Sequence, residues 1–219
     1  MLRKYDEKVL EVREELVFIG DTIVDALGDA LKAMKNDDIS SLKDISVSFK
    51  KLDSKSHEID NKIITTLALH SPEATDLREM VSYLKSTNEL MRCAKNTKEF
   101  VKLFRKAYSD DINTAIVNEY AIPLLKSTKL SLQTAVSMIN ESNKDHIEEK
   151  YSRVQIEETK TDDLYLMVEK NILKLMSKNL ELSKEYFDIL SSLRRLERTS
   201  DRAVALANLL RFAEIGGEI

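Results

Sequence analysis

Carboxylates are the residues best placed to do chemistry in this chain, because almost nothing else is available. Histidine occurs only at His57, His70 and His146, and the one cysteine is Cys93. A ferritin-like di-metal centre needs Glu-x-x-His on two helices. The residues three before the histidines are Ser54, Leu67 and Asn143, so that motif is absent. His57-Glu58 has Asn61 where a zincin would carry its second histidine. A nucleophile–base pair has little to draw on, which argues against a hydrolase. A single cysteine excludes a disulfide framework and a cysteine metal site.

The chain has 38 Asp and Glu residues. Acidic pairs one helical turn apart arise often by chance. They repel by a few tenths of a kcal/mol on a solvated face and become favourable around a bound cation. Two pairs stand out by position. Glu197 and Asp201 lie one residue off a seam of Ile189, Leu193, Leu196, Ser200, Ala203 and Ala207, whose small members let helices approach closely. Glu158 and Asp162 form the second pair. Glu158 follows Val154 by four residues and precedes Tyr165 by seven, on an apolar row where a carboxylate needs a partner or a metal. The spacing leaves two readings open, a four-carboxylate metal site or a solvated, salt-bridged face.

Arg92, Lys95, Lys98, Lys102 and Lys106 form a basic stripe at helical spacing. The simpler reading is a solvated helical half whose cations suit the C-terminal end of the helix dipole. The sharper one is docking to an anionic partner surface or to phosphate.

The elements carrying these residues follow from composition. The 219 residues include four glycines and two prolines, too few for the turns of a β-sandwich or an α/β fold. With 33% charged and 42% apolar residues, the chain suits long amphipathic helices. Tyr5, Val9, Val12, Leu16, Ile19, Ile23, Ala26, Ala30 and Ala33 recur at four-three spacing, the stripe of one long helix that stops near Asn36-Asp37-Asp38. Gly20 and Gly28 inside it cost about 1 kcal/mol each relative to Ala. A second helix is predicted over 40–69, ended by Ser71-Pro72, and a third from there to Ala107. Ser109-Asp110-Asp111 reads as a stop and a fresh N-cap. Helices over 112–140, 144–176 and 182–213 follow, with Pro123 a kink or late start and Gly216-Gly217 a terminus.

The expected fold is therefore all-α, two tandem three-helix bundles over 1–109 and 110–219. A repeat supports the division. At an offset of 106, Glu79 meets Glu185, Leu84 meets Leu190, Ser86 meets Ser192, Leu90 meets Leu196, Arg92 meets Arg198 and Arg105 meets Arg211. A net charge of −4 gives nucleic acid no general attraction. The charged N-terminus lacks a signal region and no stretch is long enough to span a membrane, so a soluble, cytoplasmic protein is expected.

Four segments, in order, resemble the PhoU family of bacterial phosphate-regulatory proteins. They are LRKYDEKVLEVREELVFIGDTIVDALGDAL, LALHSPEATDLREMVSYLKSTNEL with Pro72, Ala74, Asp76, Leu77 and Arg78 at the expected places, DDLYLMVEKNILKLM, and LERTSDRAVALA from Leu196. The resemblance implies two similar three-helix bundles and metal ions, iron or zinc among others, held through an E(D)-x-x-x-D motif in each. Glu197 and Asp201 match that motif, and Glu158 and Asp162 fall where the family's fifth helix contributes acids. Oxygen-only ligands favour a hard cation or ferric iron.

The first half departs from the pattern. Met91 and Lys95 stand where the motif acids belong, and Ser56 stands where helix two often carries an acid, leaving Asp60. A metal is thus expected in the second bundle only, with the Lys95 ammonium paired to Asp60 in the first. The resemblance further implies an adaptor rather than an enzyme. Its members couple the ATPase subunit of a phosphate ABC transporter to a membrane sensor histidine kinase and repress the phosphate-starvation response. They occur as monomers and homodimers. A PhoU-like paralogue regulating a different transporter is the second reading. A redox-active carboxylate metalloenzyme is the third, weakened by the missing Glu-x-x-His motifs.

Overall fold

A computed structural model describes residues 2–70, 72–109 and 111–217, without the side chains of Leu2, Arg3 and Ser46. Ser71 and Asp110, expected at two helix boundaries, lie outside the described residues. The α-helices are α1 (Leu2–Lys35), α2 (Leu42–Ser48), α3 (Leu52–His70), α4 (Ala74–Ala107), α5 (Thr114–Val136), α6 (Lys144–Lys178) and α7 (Ser183–Ile215), with no strand among the described residues.

Helix α1 follows its apolar stripe, and every member of the predicted seam from Tyr5 to Ala33 is buried. Val24, Leu27 and Met34 widen the buried face beyond a two-residue seam, as a helix packed on several neighbours requires. Arg13 on α1 pairs with Glu79 on α4 and Glu214 on α7, and its Nε donates to the Tyr83 hydroxyl, so one guanidinium joins three helices.

The predicted second helix is broken. A 3-10 turn over Ile39–Ser41 leads into α2, and a second over Phe49–Lys51 separates α2 from α3. The break falls after Ser46-Val47-Ser48, residues that favour helix weakly, and the Ser48 hydroxyl donates to the Ile45 carbonyl at 2.8 Å. The tight turn still holds Leu42, Ile45, Phe49, Leu52, Ile59 and Ile63 on the buried side. The apolar row therefore survives where the helix does not. Pro123 lies well inside α5, which begins at Thr114, so the late-start alternative fails. Its missing N–H leaves the Glu119 carbonyl without that helical partner.

The repeat is carried by α4 and α7. Twelve of the thirteen buried residues of α4, all but Ser82, have a buried residue of α7 at 106 positions further on. The two helices lie against each other along their length, and α1 packs on α5. Helix α3 covers α1 and α4, and α6 covers α5 and α7. Buried side chains of both halves form one contiguous core.

Close packing has visible causes. Ser86, Thr87, Thr128 and Thr199 are buried, and each returns its hydroxyl to the carbonyl four residues earlier in its own helix. At Gly20 α1 approaches α5 closely: a Cβ there would stand 2.6 Å from Val136 Cγ2. Gly216 caps α7 at φ 84°, a left-handed conformation that only glycine adopts without strain.

Candidate metal centre

Helices α6 and α7 bring the two predicted acidic pairs together. Glu158 and Asp162 of α6 and Asp201 of α7 each offer a carboxylate oxygen, and these oxygens all lie within 4.8 Å of one another. The positions follow from the local pattern. Val154, Thr161 and Tyr165 are buried beneath α6, which carries Glu158 and Asp162 at the rim of the α6–α7 groove, half-buried. On α7, Leu196 and Ser200 are buried and hold the adjoining Glu197 and Asp201 at the same groove.

Glu197 stands beside this group without belonging to the closest three. One oxygen of Glu197 (Oε2) and one of Asp162 (Oδ1) are buried with no hydrogen-bond partner among the described residues. Buried acceptors left unpaired cost free energy unless something positive meets them.

The electrostatics agree. The carboxyls of Glu158, Asp162, Glu197 and Asp201 are all pushed above their ordinary range, in each case first by burial. Asp162 and Asp201 add to the shift at Glu158, Asp201 adds to it at Asp162, and Asp201 again at Glu197. Crowded like charges of this kind are relieved by protons or by a cation. The donor set is all oxygen, which suits a hard cation or ferric iron.

Three arginines, not among the predicted site residues, flank the acids on α7. Arg194, Arg198 and Arg202 follow one another at four-residue steps on α7, and all three oppose the upward shift of Asp201. Arg194 also lies over the Tyr165 ring at 5.7 Å. The R-x-x-x-R-x-x-x-R run was visible in the sequence as a basic row flanking the acidic pair. None of the three histidines enters the carboxylate group. His70 packs edge-on against Tyr5, and His146 Nδ1 lies 3.6 Å from Glu141.

The corresponding place in the first half is built differently. A step of 102 residues carries buried Leu52, Ile59 and Ile63 of α3 onto buried Val154, Thr161 and Tyr165 of α6. The same step carries Ser56 and Asp60 onto Glu158 and Asp162. The 106 step carries Met91 and Lys95 onto Glu197 and Asp201. The expected Lys95–Asp60 ion pair is not formed: no salt bridge joins Lys95 to any acid among the described residues. Lys95 is exposed, while Asp60 Oδ1 is buried without a hydrogen-bond partner among the described residues. Burial raises the Asp60 carboxyl, and the neighbouring His57 opposes the shift. Reaching Asp60 would cost the Lys95 ammonium part of its hydration, and Lys95 keeps that hydration by staying exposed.

No helix among the described residues is long and apolar enough to cross a membrane. The fold and both halves have close counterparts. The crystal structure of PhoU from Pseudomonas aeruginosa superposes with a TM-score of 0.81 at 19% identity, covering 97% of this chain and 100% of that one. The phosphate transport system regulatory protein PhoU from Streptococcus pneumoniae gives 0.80 at 17% identity, covering 98% and 99%. At these identities the likeness establishes the fold. A phosphate-specific transport system accessory protein PhoU homolog from Borreliella burgdorferi is 24% identical over all of this chain and 99% of its own length. A homolog of the same name from Clostridium acetobutylicum is 25% identical over 92% of this chain and 90% of its own. The PhoU domain itself matches twice, over residues 16–104 and 123–210. Two matches to one domain, one in each half of a chain whose buried positions repeat, place this protein in the PhoU family.

Proposed function

We propose that this protein is an accessory regulator of phosphate uptake and phosphate signalling. It acts as an adaptor between the ATPase subunit of a phosphate ABC transporter and a sensor histidine kinase, and it represses the phosphate-starvation response when phosphate is plentiful. The paired PhoU-domain match is the observation that carries this reading, supported by accessory-protein relatives that align along nearly the whole chain. Its action is binding, not catalysis. It works in the cytoplasm at the inner face of the membrane, as a monomer or homodimer, and residues 1–109 and 110–219 are its two repeats. Long rigid helices suit the role, since α3 packs on α1 and α4 while α6 packs on α5 and α7, so the two can meet different partners.

Glu158, Asp162 and Asp201 are the metal ligands in this reading, with Glu197 beside them. The two orphaned oxygens and the mutual repulsion fit a cation. Iron, zinc or another divalent cation, when bound, would supply positive charge that neutralises the acids and cross-links α6 to α7.

The test is a pull-down of the purified transporter ATPase and of the kinase, with and without phosphate. Phosphate-dependent capture of both is the expected result, and capture of neither overturns the adaptor reading. The loss of acids at Met91 and Lys95 favours a second reading, a PhoU-like paralogue serving a different transporter. Capture of another transporter's ATPase from the same cells would select it.

A further inference from the structure

The first-half counterpart of the acidic centre has lost its net negative charge: of its four positions only Asp60 is acidic, and Lys95 offsets it. Met91 and Lys95, which stand in for Glu197 and Asp201, both line a cavity of about 440 Å³ between α4 and the α2–α3 junction. Arg92 and Lys98 line it as well, so three cations face one concavity, with the Asn88 amide beside them and Asp53 as the one acid of the lining. Lys95 and Lys98 form no ion pair among the described residues, and Arg92 has only Glu89, one turn away at 3.6 Å. Lys102 and Lys106 continue the row on the exposed side of α4, and they too lack ion pairs among the described residues. From Arg92 to Lys106 the row runs for roughly 21 Å along the helix axis.

We infer that this cavity is a binding site for a small molecule carrying two or more phosphate groups. Two unpaired lysines and an arginine held only by a 3.6 Å pair in one concavity call for a ligand of more than one negative charge. An arginine fork, two lysine point charges and an amide donor suit tetrahedral oxyanions. The concave wall, floored by buried Phe49 and Leu52, suits a compact ligand better than a helix laid along a flat face. A single orthophosphate would leave part of the row unmatched, whereas a chain of phosphates follows it. The inference does not depend on the metal centre, which lies between α6 and α7.

Isothermal titration at low ionic strength, with a chelator present to keep the metal centre out of the readout, tests it. The probes are orthophosphate, tripolyphosphate, ATP and poly-glutamate. Tripolyphosphate and ATP are expected to bind saturably, and orthophosphate more weakly than either. ATP binding well above tripolyphosphate identifies an organic phosphate as the natural class, and the reverse order an inorganic one. Lys95→Glu with Lys98→Glu is expected to weaken polyphosphate binding by about tenfold or more. Lys170→Glu with Lys174→Glu on α6 makes the same change in net charge and is expected to leave binding unaltered. Lys95→Gln with Lys98→Gln removes the charge without reversing it and is expected to fall between, with helicity by circular dichroism confirming the fold. No binding of either polyphosphate at millimolar concentration, an equal loss in both Glu variants, or poly-glutamate outcompeting them all would overturn the site.

Discussion

The Cys93 thiol donates to the backbone carbonyl of Thr199 at 3.8 Å, and Thr199 is the residue that occupies Cys93's own place in the second half, 106 positions on. Each residue thus faces its repeat counterpart across the α4–α7 contact, as expected where two similar helices pack about a local two-fold axis. Both are fully buried. Burial pushes the thiol far above its ordinary range, with Glu89 adding to the effect. Native protein should therefore resist alkylating reagents that need a thiolate. Labelling measured across a denaturant titration should begin only with global unfolding. Rapid labelling of the folded chain would show that α4 and α7 separate readily.

Two glycines of α1 should respond in opposite directions to alanine. A Cβ at Gly28 would meet Lys129 Cε at 3.3 Å, the flexible arm of a long side chain. Gly28→Ala should therefore stabilise by up to about 1 kcal/mol through helix propensity. A Cβ at Gly20 would meet the branched Val136 side chain at 2.6 Å and 2.7 Å. Gly20→Ala should lose about 1–3 kcal/mol to overpacking, which outweighs the propensity gain. Urea midpoints of the two variants, at unchanged slope, check both signs.

Glu15 gives the fold an acid limit. Its Oε1 accepts from Lys55 at 2.9 Å and from Lys62 at 2.8 Å, tying α1 to α3. Burial would raise its carboxyl, but the hydrogen bonds from Lys62 and Lys55 outweigh it and hold the group below the ordinary range. A folded-state value below the unfolded one contributes stability that is present above the unfolded value, near pH 4.3, and is lost as pH falls through the folded one. Glu15→Gln should cost about 1 kcal/mol at pH 7, allowing for screening of a partly exposed pair. The gap between variant and wild type should close as the pH drops from roughly 5 to 3. A gap independent of pH would mean that packing, not charge, holds Glu15 in place.

For the metal centre, Glu197→Ala with Asp201→Ala should abolish bound metal in protein purified without chelator, read by elemental analysis. Added cation should raise the melting temperature of the wild type and leave the double variant unmoved, since a ligand stabilises only the state that binds it. Equal and negligible metal in both proteins would remove the centre.

Much of this architecture was legible from local pattern. The stripe from Tyr5 to Ala33 is an intrinsic property of α1, because helical spacing alone decides which residues share a face. The 106 repeat, read from identities such as Ser86/Ser192 and Leu90/Leu196, reappears in the structure as a repeat of buried positions from Met80 and Tyr186 to Ala107 and Ala213. The break at Ser46-Val47-Ser48 was not legible, since the apolar row from Leu42 to Leu52 runs through it without a missed step. Helix propensity there differs too little from its surroundings to announce a tight turn.

The sequence by itself determined that the chain is helical, that it repeats, and that its possible metal-binding side chains are almost all carboxylates. Scarce glycine, proline, histidine and cysteine settle those matters before any contact forms. Only the tertiary structure decided that Asp201 meets Glu158 and Asp162 more closely than Glu197 does, and that Lys95 opens to solvent instead of reaching Asp60. The physical reason is the same in both cases. Spacing along one helix places a side chain on a face, whereas which atoms meet across a groove depends on the axial register of two helices. That register is set by the core residues each helix buries, such as Val154, Thr161 and Tyr165 of α6 and Leu196 and Ser200 of α7.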